Sequence, residues 1–239
     1  GSPDPMRKDA VELLLRICQR QHLGLVPNLR FDGAISALEQ KLDGTDPQAN
    51  GLVLVSREGK QWEGQPNSSG QTGRRYNPLN LEVQAAMVEV VREFVERYGK
   101  HPALEGLALD LATQSHVVLA GLDWGYDDNT MERFGRESGF DLSSVPQNDT
   151  GRFAQRHHLL TSTGREQWNA WRCRQMAAFY EVVLAELKQA KPGTRLILDL
   201  STLLQWSPDE LRDATRSGRS MEETMQARGL DLRNWRAPR

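Results

Sequence analysis

The sequence predicts an α/β fold: a parallel sheet with flanking helices, TIM-barrel-like, of which this chain holds a partial or incomplete (β/α) barrel. Two observations carry that expectation. From Arg75 to Tyr98 the pattern is that of a helix, and Gly106 to Ala112, G-L-A-L-D-L-A, is a short apolar run carrying Asp110 at its end. A second long helical pattern then leads into R-L-I-L-D-L-S, which repeats that ending at Asp199. Helices alternating with short, continuously apolar strands are the signature of a parallel sheet buried by its crossovers. In such folds ligands and chemistry collect at the strands' C-terminal ends, where both acids fall.

Taken in order, the first element is a helix over Asp9–His22, with Val11, Leu14, Leu15 and Cys18 at helical spacing and a stop before Gly24. Leu25–Leu29 reads as a short strand with Pro27 as a blemish in it. Gly33–Leu42 is an amphipathic helix, and Gly51–Ser56 is a buried strand by its unbroken apolar run. Arg57–Asn80 is polar and rich in Gly, Ser and Asn, with Trp62 and Tyr76 embedded. A loop of that length just past a strand is expected to help form a site.

Leu81–Tyr98 is a helix with Asn80 as N-cap and Glu82 in its first turn, closed by Gly99 and Pro102. After the Asp110 strand, Asp127 or Asp128 caps a helix that runs to Ser138 and stops at Gly139. Phe153–Leu160 and Arg165–Ala190 are further helices, the second ended by Lys191-Pro192-Gly193. Arg195–Leu200 is the fourth strand, and Pro208–Thr215 and Met221–Arg228 are short helices before an irregular tail with Trp235. Four strands are half the number that closes a barrel, and a half barrel exposes two sheet edges. Residues 1–6, opening G-S-P-D-P, read as a cloning scar, and 7–239 as one domain that is part of a longer protein.

Composition narrows the function. The 239 residues suit one domain, and the formal net charge of -2 comes with no basic stripe interleaved with aromatics, so nucleic acid is not an expected partner. No apolar run approaches the ~20 residues of a membrane span. Cys18 and Cys173, far apart and inside helical patterns, read as buried or idle thiols rather than a disulfide. No phosphate-cradling loop, dinucleotide fingerprint or Gly-x-Ser-x-Gly elbow is present, and His157-His158 lacks partners at metal spacing, so neither cofactor nor metal is expected. The D-W-G-Y-D-D run, Asp123–Asp128, fails the EF-hand pattern because Gly125 holds a ligand position. It reads either as an acidic helix cap with packed aromatics or as a loop presenting Trp124 and Tyr126 to sugar rings. Trp168 and Trp171 sit at core spacing. Arg74 and Arg75 are a solvated pair, or meet an acidic sugar or phosphate.

Several motifs are similar to those of glycoside hydrolase-like family-ten proteins of planctomycete type. They are N-P-L-N-x-E-V-Q at Asn77–Gln84, V-R-E-F-V-E-R-Y, G-L-A-L-D-L, and W-G-Y-D-D-x-T-x-x-R-F-x-x-E-S-G from Trp124. The W-x-x-W-R-x-x-x-M-x-x-F-Y helix from Trp168 and its K-P-G-T-R-L-I-L exit match as well, so the likeness runs from about Val11 to Trp235. The resemblance implies a barrel-derived module that acts on or binds carbohydrate, periplasmic or extracellular in a bacterium. In that family the Asp110 strand tends to end in two adjacent acids and an aromatic; here Leu111 and Ala112 replace all but the first.

Glycoside hydrolysis takes two carboxyl groups flanking the scissile bond. The expected candidates are Asp110 as acid/base, Asp199 as its partner, and Glu58 at the end of the second strand. Side chains alternate along a strand, so Asp110 and Asp199 share a crevice or else point into ion pairs. Trp124, Tyr126, His116, Gln114, Trp62 and Tyr76 are the expected substrate-binding residues. The competing reading is a non-catalytic carbohydrate-binding or scaffolding module of a large cell-surface protein, with the rest of that protein packed against it.

Overall fold

Three parallel strands form the central sheet of the computed structural model, which describes residues 9–42, 44–63, 73–201, 203, 218 and 220–235. Strand β1 is Asn28–Leu29, β2 Gly106–Asp110 and β3 Arg195–Asp199, in spatial order β1-β2-β3. The helices are α1 Ala10–Arg20, α2 Ser36–Leu42, α3 Pro47–Asn50, α4 Leu81–Tyr98, α5 Asp128–Ser138, α6 Arg152–Thr161, α7 Arg165–Ala190 and α8 Met221–Ala227.

Local chemistry sets most helix ends. Asp9, Asn80 and Asp127 each turn a side-chain oxygen onto an N–H of the first turn of α1, α4 and α5. Ser220 and Glu223 close a reciprocal capping box on α8. At the other end of α5, Gly139 adopts φ 69°, the left-handed cap that glycine enters without cost.

The two faces of the sheet differ. Leu107, Leu109 and Leu111 are wholly buried and join one core with Val83, Met87 and Val91 of α4 and Phe179, Tyr180 and Val183 of α7. The opposite face carries Ala108, Asp110, Arg195, Ile197 and Asp199 by the twofold alternation of strands. That face is open: Ile197 is 42% exposed. Helix α7 meets α4, α5, α6, α8 and β3, which explains why its buried residues cover roughly two-thirds of its circumference.

One strand expectation is corrected. Gly51–Ser56 is buried throughout, as its apolar run required, but it does not join the parallel sheet. Its contacts are isolated antiparallel bridges, Val53 to Tyr76, Val55 to Gln61 and Ser56 to Trp124. The reason is the turn that follows: Gly59, at φ 77°, lets the chain reverse so that Ser56 and Leu54 bond back to Lys60 and Trp62. Leu25–Leu29 is also shortened. Leu25 bridges Leu104 alone and ladder pairing starts at Asn28, while Pro27, on an edge, still accepts the Ala108 N–H through its carbonyl. The expected helix over Pro208–Thr215 lies outside the described residues. Both cysteines are free, Cys173 buried and Cys18 half-buried.

Gly106 sets the spacing of the two longer strands. A Cβ there would stand 2.3 Å from the Arg195 carbonyl oxygen, a backbone atom that has no rotamer to escape into. Gly106→Ala is therefore expected to cost about 1–3 kcal/mol, measured as a lower urea midpoint with an unchanged slope.

Candidate functional site

Asp110 and Asp199 are register partners at the C-terminal ends of β2 and β3. Paired residues of adjacent parallel strands point to the same side, so both carboxylates rise from the open face. Each strand ends in the same small turn. Asp110 Oδ1 accepts the Ala112 N–H at 3.0 Å, and Asp199 Oδ1 accepts the Ser201 N–H at 3.0 Å. The remaining oxygens are met from the β1 side: Arg30 Nε lies 3.6 Å from Asp110 Oδ2, and Asn28 Nδ2 donates to Asp199 Oδ2 at 2.9 Å. Asn28 reaches β3 by crossing over its register partner Ala108, whose small side chain leaves the path clear. Arg30 is shared with Asp32, 2.7 Å away.

The Ser201 N–H holds the Asp199 carboxyl below the usual carboxylate range, with the Ser201 hydroxyl and Asn28 adding to it. Asp199 is thus suited to act ionised, as nucleophile, base or ligand for a developing positive charge. Glu58 stands elsewhere, exposed on the turn after Ser56, its carboxylate 2.9 Å from Arg57 and held low chiefly by that bond. Among the described residues, none of its contacts links it to the strand ends.

The aromatic residues divide into two sets. Trp62 and Trp124 are half-buried and pack on each other with centroids 4.6 Å apart. Tyr76 and Tyr126 are 0% exposed, which corrects the reading of them as sugar platforms. Tyr76 gives its hydroxyl proton to Glu39 and accepts the Ile35 N–H, tying α2 to the 73–77 segment. Tyr126 donates to the Leu122 carbonyl and packs against Trp168. Gln114 is exposed in the loop after β2.

His116 lies in that loop but is 1% exposed, with its ring on Tyr76 and Nε2 donating to the Gly33 carbonyl at 3.1 Å. Burial pushes its pKa down to about 4, so the ring is neutral at pH 7. Its burial corrects the expectation that His116 binds substrate. The unfolded chain, with an ordinary value near 6.5, binds more protons between those limits, so acidification through that window favours unfolding by up to about 3 kcal/mol. His116→Gln should therefore lose less stability than the parent between pH 7 and pH 4.5, by about 2 kcal/mol in paired urea titrations. Asp127, pushed up to about 6 by burial, works in the opposite direction and cancels in that difference.

The acids of the Asp123–Asp128 run are engaged structurally. Asp127 caps α5 and accepts from Asn77, Asp128 pairs with Arg152 and Arg156, and Asp123 lies 3.2 Å from Arg57 and 3.4 Å from His157. Sequence reasoning did not single out Asn28 or Arg30 beside the two strand-end acids. Their period-two spacing on a short strand was the available signal.

Comparison with known proteins places the architecture. No family model matches the chain, and no curated protein is similar to it. Among solved structures it is similar to the beta-galactosidase of the psychrophilic Marinomonas ef1, with TM-score 0.54 and 15% identity over 82% of this chain and 30% of that one. It is also similar to Gan42B, a GH42 beta-galactosidase from G. stearothermophilus, with TM-score 0.50 and 15% identity over 83% of this chain and 29% of that one. The fold class is therefore that of a (β/α) barrel. This chain carries part of such a barrel and spans about 30% of the length of those relatives.

Proposed function

We propose that the chain is a glycoside hydrolase-like module acting on polysaccharide, of the family-ten-like kind its motifs resemble, with Asp110 and Asp199 as its carboxylate pair. The observation that carries this reading is their register pairing on one open face at the strand ends. Neighbouring strands stand about 4.8 Å apart, close to the roughly 5 Å between carboxyl groups that retaining hydrolysis uses. Asp199, held ionised, takes the nucleophile or stabilising role, and Asp110 the acid/base role. The half-buried Trp62–Trp124 pair supplies faces for pyranose rings, and exposed Gln114 supplies amide hydrogen bonds. Further segments of a longer polypeptide cover the open face. The exposure of Ile197 in the middle of β3 supports that covering.

A second reading rests on a specific observation. Both acids already hold backbone N–H groups, and Asp199 is pushed down rather than up, whereas an acid catalyst is usually tuned upward. That pattern suits a carbohydrate-binding module without turnover. The test is reducing-sugar release from a panel of polysaccharides, run beside affinity electrophoresis on the same glycans. Release by the folded protein supports the hydrolase. Retardation without release supports the binding module, and neither result with any glycan overturns both.

A further inference from the structure

We propose that Asn28 is a positioning residue whose amide holds the Asp199 carboxylate over β2, on the side of Asp110. The inference rests on the carboxylate-pair reading above and names the group that sets the pair's geometry. Among the described residues β3 is the outermost strand, so Asp199 has β2 on one side and the sheet edge on the other. Its own turn fixes Oδ1 on the Ser201 N–H at 3.0 Å. A grip from one turn alone leaves a carboxylate free to rock about its broad terminal torsion. The Asn28 amide takes Oδ2 at 2.9 Å from β1, beyond β2, and so draws the group inward from the edge. Two oxygens held from two different strands fix both the place and the plane of the carboxylate, which is the condition for a near-attack geometry.

Neighbouring residues favour this contact. Asn28, Ala108 and Ile197 are level in the ladder, and the bond passes over Ala108 to the acid two residues beyond Ile197. The Pro27 carbonyl accepts the Ala108 N–H at 2.8 Å, which pins the chain to β2 one residue before Asn28. Arg30 follows on the same side by strand alternation, but it lies 2.7 Å from Asp32 and 3.6 Å from Asp110. The cation thus serves one acid and the neutral amide the other, so Asn28 orients Asp199 without setting a full charge against it. Asn28 is exposed, and a single hydrogen bond in contact with water adds little net stability. Its effect is therefore to be read at the carboxylate and not in the fold.

The test is the titration of the Asp199 side-chain carboxyl by carbon-13 NMR, assigned by its loss in Asp199→Asn. It is run on the parent, Asn28→Ala and Asn28→Asp, beside kcat and KM on the polysaccharide of the panel that yields most reducing sugar. Asp199 is faced by Asp110 from β2, with Arg30 and Asp32 beyond it; Arg195 on its own strand is engaged by Glu105 at 2.7 Å. All of these stay in place in both variants. The Ser201 N–H is the largest cause holding Asp199 low, and the Asn28 amide adds to it. Removing a donor to the ionised form raises the midpoint, and a carboxylate in its place raises it further, because two acids in contact share one proton. The expected result is a rise in Asn28→Ala and a larger one in Asn28→Asp. With it, kcat in Asn28→Ala falls about 10- to 100-fold while KM stays within about twofold. A midpoint unmoved in either variant overturns the inference, and so does a parent-like kcat in Asn28→Ala. Raised midpoints in a protein that cleaves no glycan support the positioning role and sink the hydrolase reading. Full cleavage by both variants, lost in Asp110→Asn, does the reverse.

Discussion

Asp110→Asn is expected to lower glycan cleavage roughly 10²–10⁴-fold, the contribution of a positioned acid/base, while leaving glycan affinity within a factor of about two. The substitution isolates charge from shape. Asparagine keeps an oxygen for the Ala112 N–H, and Arg30 retains Asp32 at 2.7 Å when its longer contact to position 110 weakens. The fold should therefore survive, checked by an unchanged circular dichroism spectrum. Asp199→Asn makes a different demand, because an amide nitrogen there would face the Asn28 amide nitrogen across the present 2.9 Å contact. If Asp199 works ionised, the acid limb of the rate profile should lie below the ordinary carboxylate range, since the Ser201 N–H and hydroxyl depress its folded value. A folded Asp110→Asn protein with undiminished release would remove Asp110 from the chemistry.

Trp168→Ala should cost about 3–5 kcal/mol, the largest loss of stability expected from a single truncation here. The ring is fully buried and stacked on Trp171 with centroids 5.4 Å apart and planes 12° from parallel. Phe134 meets it edge-on at 4.9 Å, and the Arg172 guanidinium lies 5.3 Å from its centre. Truncation would leave a cavity where α5, α6 and α7 converge and strip Arg172 of its aromatic partner. Trp168→Phe is the informative control. The Trp168 indole N–H is buried without a partner, so phenylalanine removes a cost along with some volume. Its loss should stay within about 1.5 kcal/mol. Equal losses in the two variants by chemical denaturation would show that the stacking counts for little.

Helix α4 begins and ends where the sequence placed it, Leu81–Tyr98, because its signals are local: the Asn80 side chain bonds the Glu82 N–H, and glycine and proline follow. Helix α7 likewise fills Arg165–Ala190, with Lys191-Pro192-Gly193 as its stop. Gly51–Ser56 was misplaced for the complementary reason. Six buried residues in a row say that a segment is covered, but not by which partner, and here the partner is the returning chain beyond Gly59.

The site shows the same division. Period and chain alternation alone brought Asp110 and Asp199 to equivalent strand ends. Whether they shared a face depended on register, which is a relation between strands 89 residues apart. The loop aromatics were the least legible, since Trp124 and Tyr126 are two residues apart in one run. Tyr126 is enclosed by Trp168 and His157 and buried completely, while Trp124 keeps part of its ring at the surface beside Trp62. The sequence by itself determined the alternation of helices and parallel strands, the helix ends and the two strand-end acids, because periodicity and capping act within a few residues. Only the tertiary structure decided that Asp110 and Asp199 share a face and which rings meet solvent, because burial and register are settled by segments far apart in the chain.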